Sequence, residues 1–207
     1  MQDPMLHQAS SYDELWSQVD FATMDIPEEF NLGVACADRH DPGTRALTVV
    51  ARDRSSRDYT FGELTGASNR LANALAAVGI GRGDVVGVVN PASFETGTCF
   101  MGLFRMGAIA LPLSSLFGPD ALRFRLRNAE AKAVITSAVN APRVREALTG
   151  VEVPILVIGG PADAEDSYER ALAAASPDFT PVRTRAEDPA FLIYTSGTTG
   201  DPKGALH

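Results

Sequence analysis

The segment FLIYTSGTTGDPKGALH, residues 191–207, concentrates residue types that bind phosphate groups. Its glycines let backbone N–H groups turn toward one point without clashes from a Cβ atom, and such a concavity binds anions. These glycines are Gly197, Gly200 and Gly204. Hydroxyl donors come from Thr195, Ser196, Thr198 and Thr199. Lys203 adds a positive charge directly after Pro202, which stiffens the backbone. The segment therefore predicts a cradle for a polyphosphate.

This segment differs from the common P-loop, whose pattern is G-x-x-x-x-G-K-[ST]. Counted from Gly197, the second required glycine falls on Pro202, and counted from Gly200 it falls on Ala205. Lys203 also precedes a glycine, whereas the P-loop lysine follows one. On composition alone, a flexible surface loop rich in Gly and Thr is the alternative.

The elements that must position this segment alternate along the chain. The predicted strands are DVVGVVN (84–90), AIALPL (108–113), KAVITS (132–137), VPILVIGG (153–160) and AFLIYTS (190–196). Segments of helical periodicity separate them, and the first begins at Thr60, where Glu63 completes a capping box, and closes at Gly79. This order predicts an α/β fold with a mostly parallel, doubly wound sheet and helices on both faces. The continuous apolar runs 85–89, 155–158 and 191–194 predict strands covered on both sides.

Ahead of these units, RALTVVARD and SRDYTFGEL flank a polar turn and predict a small N-terminal hairpin. Residues 1–45 are polar and irregular, and a short helix is expected near SYDELWSQV.

The phosphate-binding segment resembles a long signature of a known family. YTSGTTGDPKG is similar to the phosphate-binding signature of the adenylate-forming superfamily, which includes acyl-CoA synthetases, luciferases and nonribosomal peptide adenylation domains. The sequence from YTFGELTGASNRLANAL to EAKAVIT resembles the upstream part of the same family's large domain. EEFNLGVACAD and LFGPDALRFRLRNAEAKAVI are most similar to the branch that handles acetyl to medium-chain carboxylic acids.

The resemblance implies an AMP-forming acyl-CoA synthetase that uses ATP, Mg²⁺ and CoA. A carboxylic acid attacks the α-phosphate of ATP, which gives acyl-AMP and pyrophosphate, and CoA then takes the acyl group. By position, Thr195, Ser196, Gly197, Thr198, Thr199 and Gly200 would wrap the β- and γ-phosphates, with Gly204 beside them. Lys203 is implied as the catalytic residue, because its cation would neutralise pyrophosphate as it leaves.

The same resemblance implies how the chain is organised. Residues 46–207 would form the first part of a large N-terminal AMP-binding domain, preceded by the irregular segment 1–45. Family members continue well past the phosphate loop, and their adenine, ribose and metal sites lie downstream. We therefore expect the chain to be an N-terminal fragment that is inactive when isolated.

Two further functions stay open at this stage. One is adenylation with transfer to a carrier-protein thiol instead of CoA. The other is a truncated, non-catalytic interaction module with the same fold. A CoA-versus-carrier assay would separate the first from the leading hypothesis, and the reading frame beyond codon 207 would separate the second.

Composition excludes several other classes of protein. The net charge of −8 argues against a nucleic-acid footprint, and the N-terminus has no basic and apolar stretch typical of a signal peptide. The most apolar segment, residues 97–113, is interrupted by Arg105 and predicts a buried helix and strand instead of a membrane span. Cys36 and Cys99 have no metal or redox spacing, which predicts reduced thiols in a cytoplasmic protein. The three histidines form no ligand cluster either, so no structural zinc is expected.

Two other motifs carry weaker signals. GIGRGD, residues 79–84, lacks the last glycine of a dinucleotide fingerprint and precedes a strand, so it predicts a helix C-cap and turn. Arg123, Arg125 and Arg127 resemble an anion site, but only Arg123 and Arg127 share a helix face. A solvated helix face is the preferred interpretation.

Overall fold

The computed structural model describes residues 27–51, 53–195 and 201–207. Its central feature is a parallel sheet of four strands in the order β4–β3–β5–β6. These strands are β3 (Val85–Val89), β4 (Ile109–Pro112), β5 (Ala133–Ser137) and β6 (Ile155–Ile158). The helices are α1 (Phe61–Ala77), α2 (Phe94–Arg105), α3 (Pro119–Asn128), α4 (Ala141–Ala147) and α5 (Tyr168–Ala174). The predicted doubly wound α/β fold is confirmed.

Side chains of the sheet alternate between two buried clusters. Val88 and Ile135 pack with α1, α2 and α5 on one face. Their neighbours Val89 and Val134 pack with α3 and α4 on the other face. Both faces of this sheet are therefore covered, as the apolar runs of its strands predict.

The predicted N-terminal hairpin is also present. β1 (Arg45–Val50) pairs antiparallel with β2 (Ser56–Thr60), and α1 follows directly. Gly79 and Gly83 both adopt positive φ in the turn after α1, so GIGRGD forms the predicted helix end and turn. The short helix expected near SYDELWSQV lies outside the described residues, and the division at residue 45 stays a prediction.

The start of α1 has the predicted capping box. The Glu63 backbone N–H donates to Thr60 Oγ1 at 3.2 Å, and Glu63 Oε2 accepts from the Thr60 backbone N–H at 2.8 Å. We expect Thr60→Ala to lower the free energy of unfolding by about 1 kcal/mol, because it leaves an N–H group of the first turn without its partner. Thr60→Ser keeps the hydroxyl and should unfold like the parent chain. Urea denaturation of the three proteins measures the difference, and equal midpoints for Thr60→Ala and Thr60→Ser would contradict it.

The main difference from the predicted fold concerns the last predicted strand, which is not part of the parallel sheet. β7 (Leu192–Thr195) pairs antiparallel with β8 (Lys203–Leu206), a strand that the sequence did not predict. The connection 196–202 is too short for a parallel crossover, which needs about a dozen residues. The hairpin meets the parallel sheet through one bridge, between Ala110 and Phe191. Ile193 is 40% exposed, so the run 191–194 is not covered on both sides.

Smaller features complete the fold. A π-helical turn, Val34–Asp38, precedes β1 and was also not predicted. A second parallel bridge joins Val157 of β6 to Ser167. The apolar segment 97–113 forms the predicted buried helix and strand, and none of the helices described would reach across a bilayer. Cys99 is fully buried, which raises the pKa of its thiol, while Cys36 is exposed, and both are free.

Candidate phosphate-binding site

The hairpin β7–β8 brings together both ends of the predicted phosphate loop. Thr195 and Lys203 form the last pair of the ladder, and both residues are exposed to solvent. Gly204 follows opposite Tyr194. Three of the predicted site residues are thus side by side, on adjacent strands. The others, Ser196, Gly197, Thr198, Thr199 and Gly200, lie outside the described residues, so their roles stay predictions.

The strands that flank the loop are not part of the four-stranded parallel sheet. Sheets of this kind bind ligands beyond the carboxyl ends of their parallel strands. The chain enters β7 parallel to β4 through the bridge between Ala110 and Phe191, then forms the antiparallel hairpin β7–β8, whose Tyr194 side packs against α3. The position of the site therefore depends on contacts between the hairpin and α3 as well as on the sheet.

Gly204 has a packing role that the sequence did not reveal. A Cβ atom at this position would lie 2.9 Å from Leu192 Cδ1 and 3.3 Å from Tyr194 Cζ. Both distances are shorter than ordinary van der Waals contact. The absence of a side chain at Gly204 thus makes room for the Tyr194 ring, and any contact of Gly204 with phosphate stays a prediction.

Tyr194 links the hairpin to α3. Its hydroxyl donates to Asn128 Oδ1 at 2.5 Å, and its ring meets the Phe124 ring edge-on at a centroid distance of 6.4 Å. Desolvation raises the pKa of Tyr194, so its hydroxyl stays protonated at neutral pH and remains available as a donor. Nothing in the sequence indicated that the tyrosine of the signature hydrogen-bonds a helix residue 66 positions upstream.

The neighbouring arginines of α3 are not arranged as an anion site. Arg123 donates to the backbone carbonyl of Glu146, and Arg127 donates to that of Thr149, both at 3.1 Å. These carbonyls lie at the end of α4, where cations stabilise the helix terminus. The interpretation as a solvated face is therefore incomplete, because both side chains also have structural partners.

The described residues offer no metal centre of protein ligands. No three side chains of His, Cys, Asp or Glu converge within 27–51, 53–195 and 201–207 in a way that would hold a metal. No residue in this part of the chain is therefore assigned to Mg²⁺.

Comparison with known proteins identifies the family. The model of the family described as "AMP-binding enzyme" matches residues 35–207, most of the chain. The chain belongs to the AMP-binding enzymes. The resemblance to the adenylate-forming superfamily is thereby confirmed.

Relatives of this AMP-binding enzyme agree with the assignment. It is 34% identical over 199 residues to acetyl-coenzyme A synthetase of Halorhodospira halophila, covering 86% of this chain and 31% of that protein. The crystal structure of an acyl-CoA synthetase of Brucella canis superposes with a TM-score of 0.82 at 32% identity, covering 94% of this chain and 37% of that one. Anthranilate CoA ligase AuaEII, solved in complex with anthranoyl-AMP, gives a TM-score of 0.77 at 31% identity, covering 88% and 35%. The chain thus spans about a third of the length of these relatives.

Proposed function

We propose that the protein expressed from its complete gene activates a small carboxylic acid with ATP and transfers the acyl group to CoA. The observation that carries this proposal is the hairpin that holds Lys203 beside Thr195 at the base of the family's phosphate signature. Relatives named acetyl-coenzyme A synthetase and acyl-CoA synthetase support the reaction class. The anthranoyl-AMP complex of one relative supports an acyl-adenylate intermediate.

The first step joins two anions. A carboxylate oxygen attacks the α-phosphorus of ATP, the bond from that phosphorus to the bridging oxygen of the β-phosphate breaks, and pyrophosphate leaves with the electron pair. Catalysis of such a step depends on donors and cations that are already in place where charge develops. The Lys203 ammonium supplies one such cation, and the hydroxyl and N–H groups of 195–200 supply donors. In the second step the thiolate of CoA attacks the acyl carbon and AMP leaves.

The acyl acceptor distinguishes two versions of this proposal. CoA is favoured because the relatives reported above are CoA ligases and synthetases. A carrier-protein thiol is the alternative acceptor. A non-catalytic interaction module of the same fold is the alternative function. The choice of carboxylic acid and a location in the cytoplasm stay predictions.

Carboxylate-dependent exchange of pyrophosphate into ATP tests the adenylation step. We expect exchange by the protein expressed from its complete gene with at least one acid among acetate, butyrate, hexanoate and benzoate. The chain 1–207 expressed alone serves as the control and should give none, because two thirds of its relatives' length has no counterpart in it. Exchange followed by CoA consumption supports the CoA ligase. Exchange without CoA consumption supports the carrier alternative, and no exchange with any of the acids would contradict the proposal.

A further inference from the structure

Arg125 of α3 lies between two aromatic rings. Its guanidinium carbon is 4.3 Å from the centroid of Phe117 and 5.7 Å from the centroid of Tyr194. Phe117 belongs to the loop between β4 and α3, and Tyr194 belongs to β7. One cation thus contacts both the loop that precedes α3 and the hairpin β7–β8.

Arg125 is half-buried, and its hydrogen bonding is unusual. Its Nε atom is the one buried side-chain nitrogen or oxygen within the described residues that has no hydrogen-bond partner. Its Nη1 atom donates to the backbone carbonyl of Ala121 at 2.9 Å. Because a buried donor without an acceptor costs free energy, such groups in native proteins call for an explanation. The two ring faces supply one, since they attract the cation at the expense of ordinary hydrogen bonds.

Contacts lead from this cation to Lys203 in three steps. Arg125 contacts the Tyr194 ring, and Tyr194 pairs with Gly204 across the hairpin. The next pair of the ladder is Thr195 with Lys203. The hydroxyl of Tyr194 is fixed at the same time by Asn128, so the ring has little freedom to rotate away. An orientation imposed on Tyr194 is therefore passed to the strand pair that carries Lys203.

We propose that Arg125 is a positioning residue that, through Tyr194, aims Lys203 at the pyrophosphate portion of the nucleotide. This inference rests on the proposed function, because it takes Lys203 as a phosphate-binding cation. It differs from a simple packing role in one respect. A packing residue would affect the stability of the whole fold, whereas a positioning residue affects phosphate binding at Lys203 while the fold remains intact.

A cation close to two aromatic rings favours arginine over lysine. A guanidinium can stack on aromatic faces, while an ammonium is a compact, strongly hydrated charge that does so less well. Arg125→Lys should therefore fail to restore the function even though it retains the charge. Arg127 provides a matched control on the same helix, because its partner is the backbone carbonyl of Thr149 and not an element of the hairpin.

Lysine labelling measures the effect site by site, because Lys132 and Lys203, the two lysines of the 207-residue sequence, lie 71 positions apart and fall in separate peptides. Pyridoxal 5′-phosphate forms an imine with each exposed lysine, borohydride reduces that imine, and peptide mass spectrometry quantifies each site. Increasing pyrophosphate should protect Lys203 in the protein expressed from its complete gene. Lys132 serves as the internal reference.

We expect Arg125→Met to raise the pyrophosphate concentration for half-protection of Lys203 about tenfold. Arg125→Lys should raise it by roughly threefold or more, and Arg127→Met should leave it unchanged. The thermal midpoints should stay within a few degrees of the parent. Tyr194→Phe and Asn128→Ala break the hydroxyl contact from either side. Both should also raise the pyrophosphate concentration for half-protection of Lys203. They replace Arg125→Met in the test if that variant fails to fold.

The outcomes separate this inference from the proposed function. The positioning role would be overturned if pyrophosphate protects Lys203 as strongly in Arg125→Met as in the parent. Parent-like protection in both Tyr194→Phe and Asn128→Ala would overturn it as well. Either result would leave the proposed function intact. Lack of protection in the parent, together with absent pyrophosphate exchange, would overturn both. Full rescue by Arg125→Lys would show that charge suffices and would also overturn the role of the planar stack.

Discussion

Replacement of Lys203 by alanine is expected to lower turnover in the adenylation step by roughly ten- to a thousandfold, at about 1.4 kcal/mol per factor of ten. The Lys203 ammonium would meet charge that builds on the departing pyrophosphate, more than charge already present in bound ATP. A group that acts mainly in the transition state lowers turnover when it is removed. The Michaelis constant for ATP should therefore rise by a smaller factor. Pyrophosphate exchange by the protein expressed from its complete gene measures both constants.

Two further variants make this test specific. Lys203→Arg should restore only part of the turnover, because a planar guanidinium does not replace a compact ammonium at a close phosphate contact. Lys132→Ala is the matched control, since Lys132 is the other lysine of the sequence and lies before β5, outside the hairpin. If Lys203→Ala changes only the Michaelis constant for ATP, the lysine binds substrate without a role in the transition state. If neither constant changes, the assigned role of Lys203 is wrong.

Replacement of Arg105 by methionine is expected to destabilise the fold by about 3 kcal/mol. Arg105 ends α2, and its side chain is only 3% exposed. Its Nη1 donates to Asp38 Oδ1 at 2.5 Å and its Nε donates to Asn69 Oδ1 at 2.7 Å. Methionine fills much of the same volume but leaves both acceptors without their partner, and a carboxylate that loses its buried partner is costly.

The control for Arg105 is an exposed ion pair of the same residue types. Arg45 and Asp58 are 3.4 Å apart, with side chains 66% and 57% exposed, so Arg45→Met should cost no more than about 0.5 kcal/mol. Urea denaturation of the 207-residue chain measures both variants against the parent. A loss for Arg105→Met as small as that for Arg45→Met would contradict the prediction and would mean that water replaces Arg105 at the Asp38 carboxylate, which is 29% exposed.

The elements whose signals are local in sequence were predicted well. Thr60 and Glu63 are three residues apart, so one short pattern contains the whole capping box. The apolar run at 85–89 forms the central strand, because burial on both faces needs only side chains from that run and the helices around it. Alternation of such runs with helices was enough to indicate the doubly wound sheet.

Features that depend on distant partners were not predicted. The sequence shows Arg105 only as a charge that interrupts an apolar segment. Its hydrogen bonds could not be predicted, because their acceptors lie 36 and 67 residues away. The strand at 203–206, KGAL, has no β-branched residue and takes its conformation from pairing with β7. The signature located the phosphate segment, but neither the antiparallel hairpin nor the contact of Tyr194 with Asn128 could be derived from it.

The two single bridges at the borders of the parallel sheet also bear on solubility. An outer strand exposes unpaired N–H and C=O groups, to which a strand of another molecule can add and start aggregation. At the β4 border the Ala110 N–H donates to the Ala190 carbonyl at 2.9 Å, and at the β6 border the Val157 N–H donates to the Asp166 carbonyl at 2.7 Å. The chain thus uses its own loops to occupy part of both outer strands, and within the described residues neither border of the parallel sheet is open to a neighbouring molecule along its whole length.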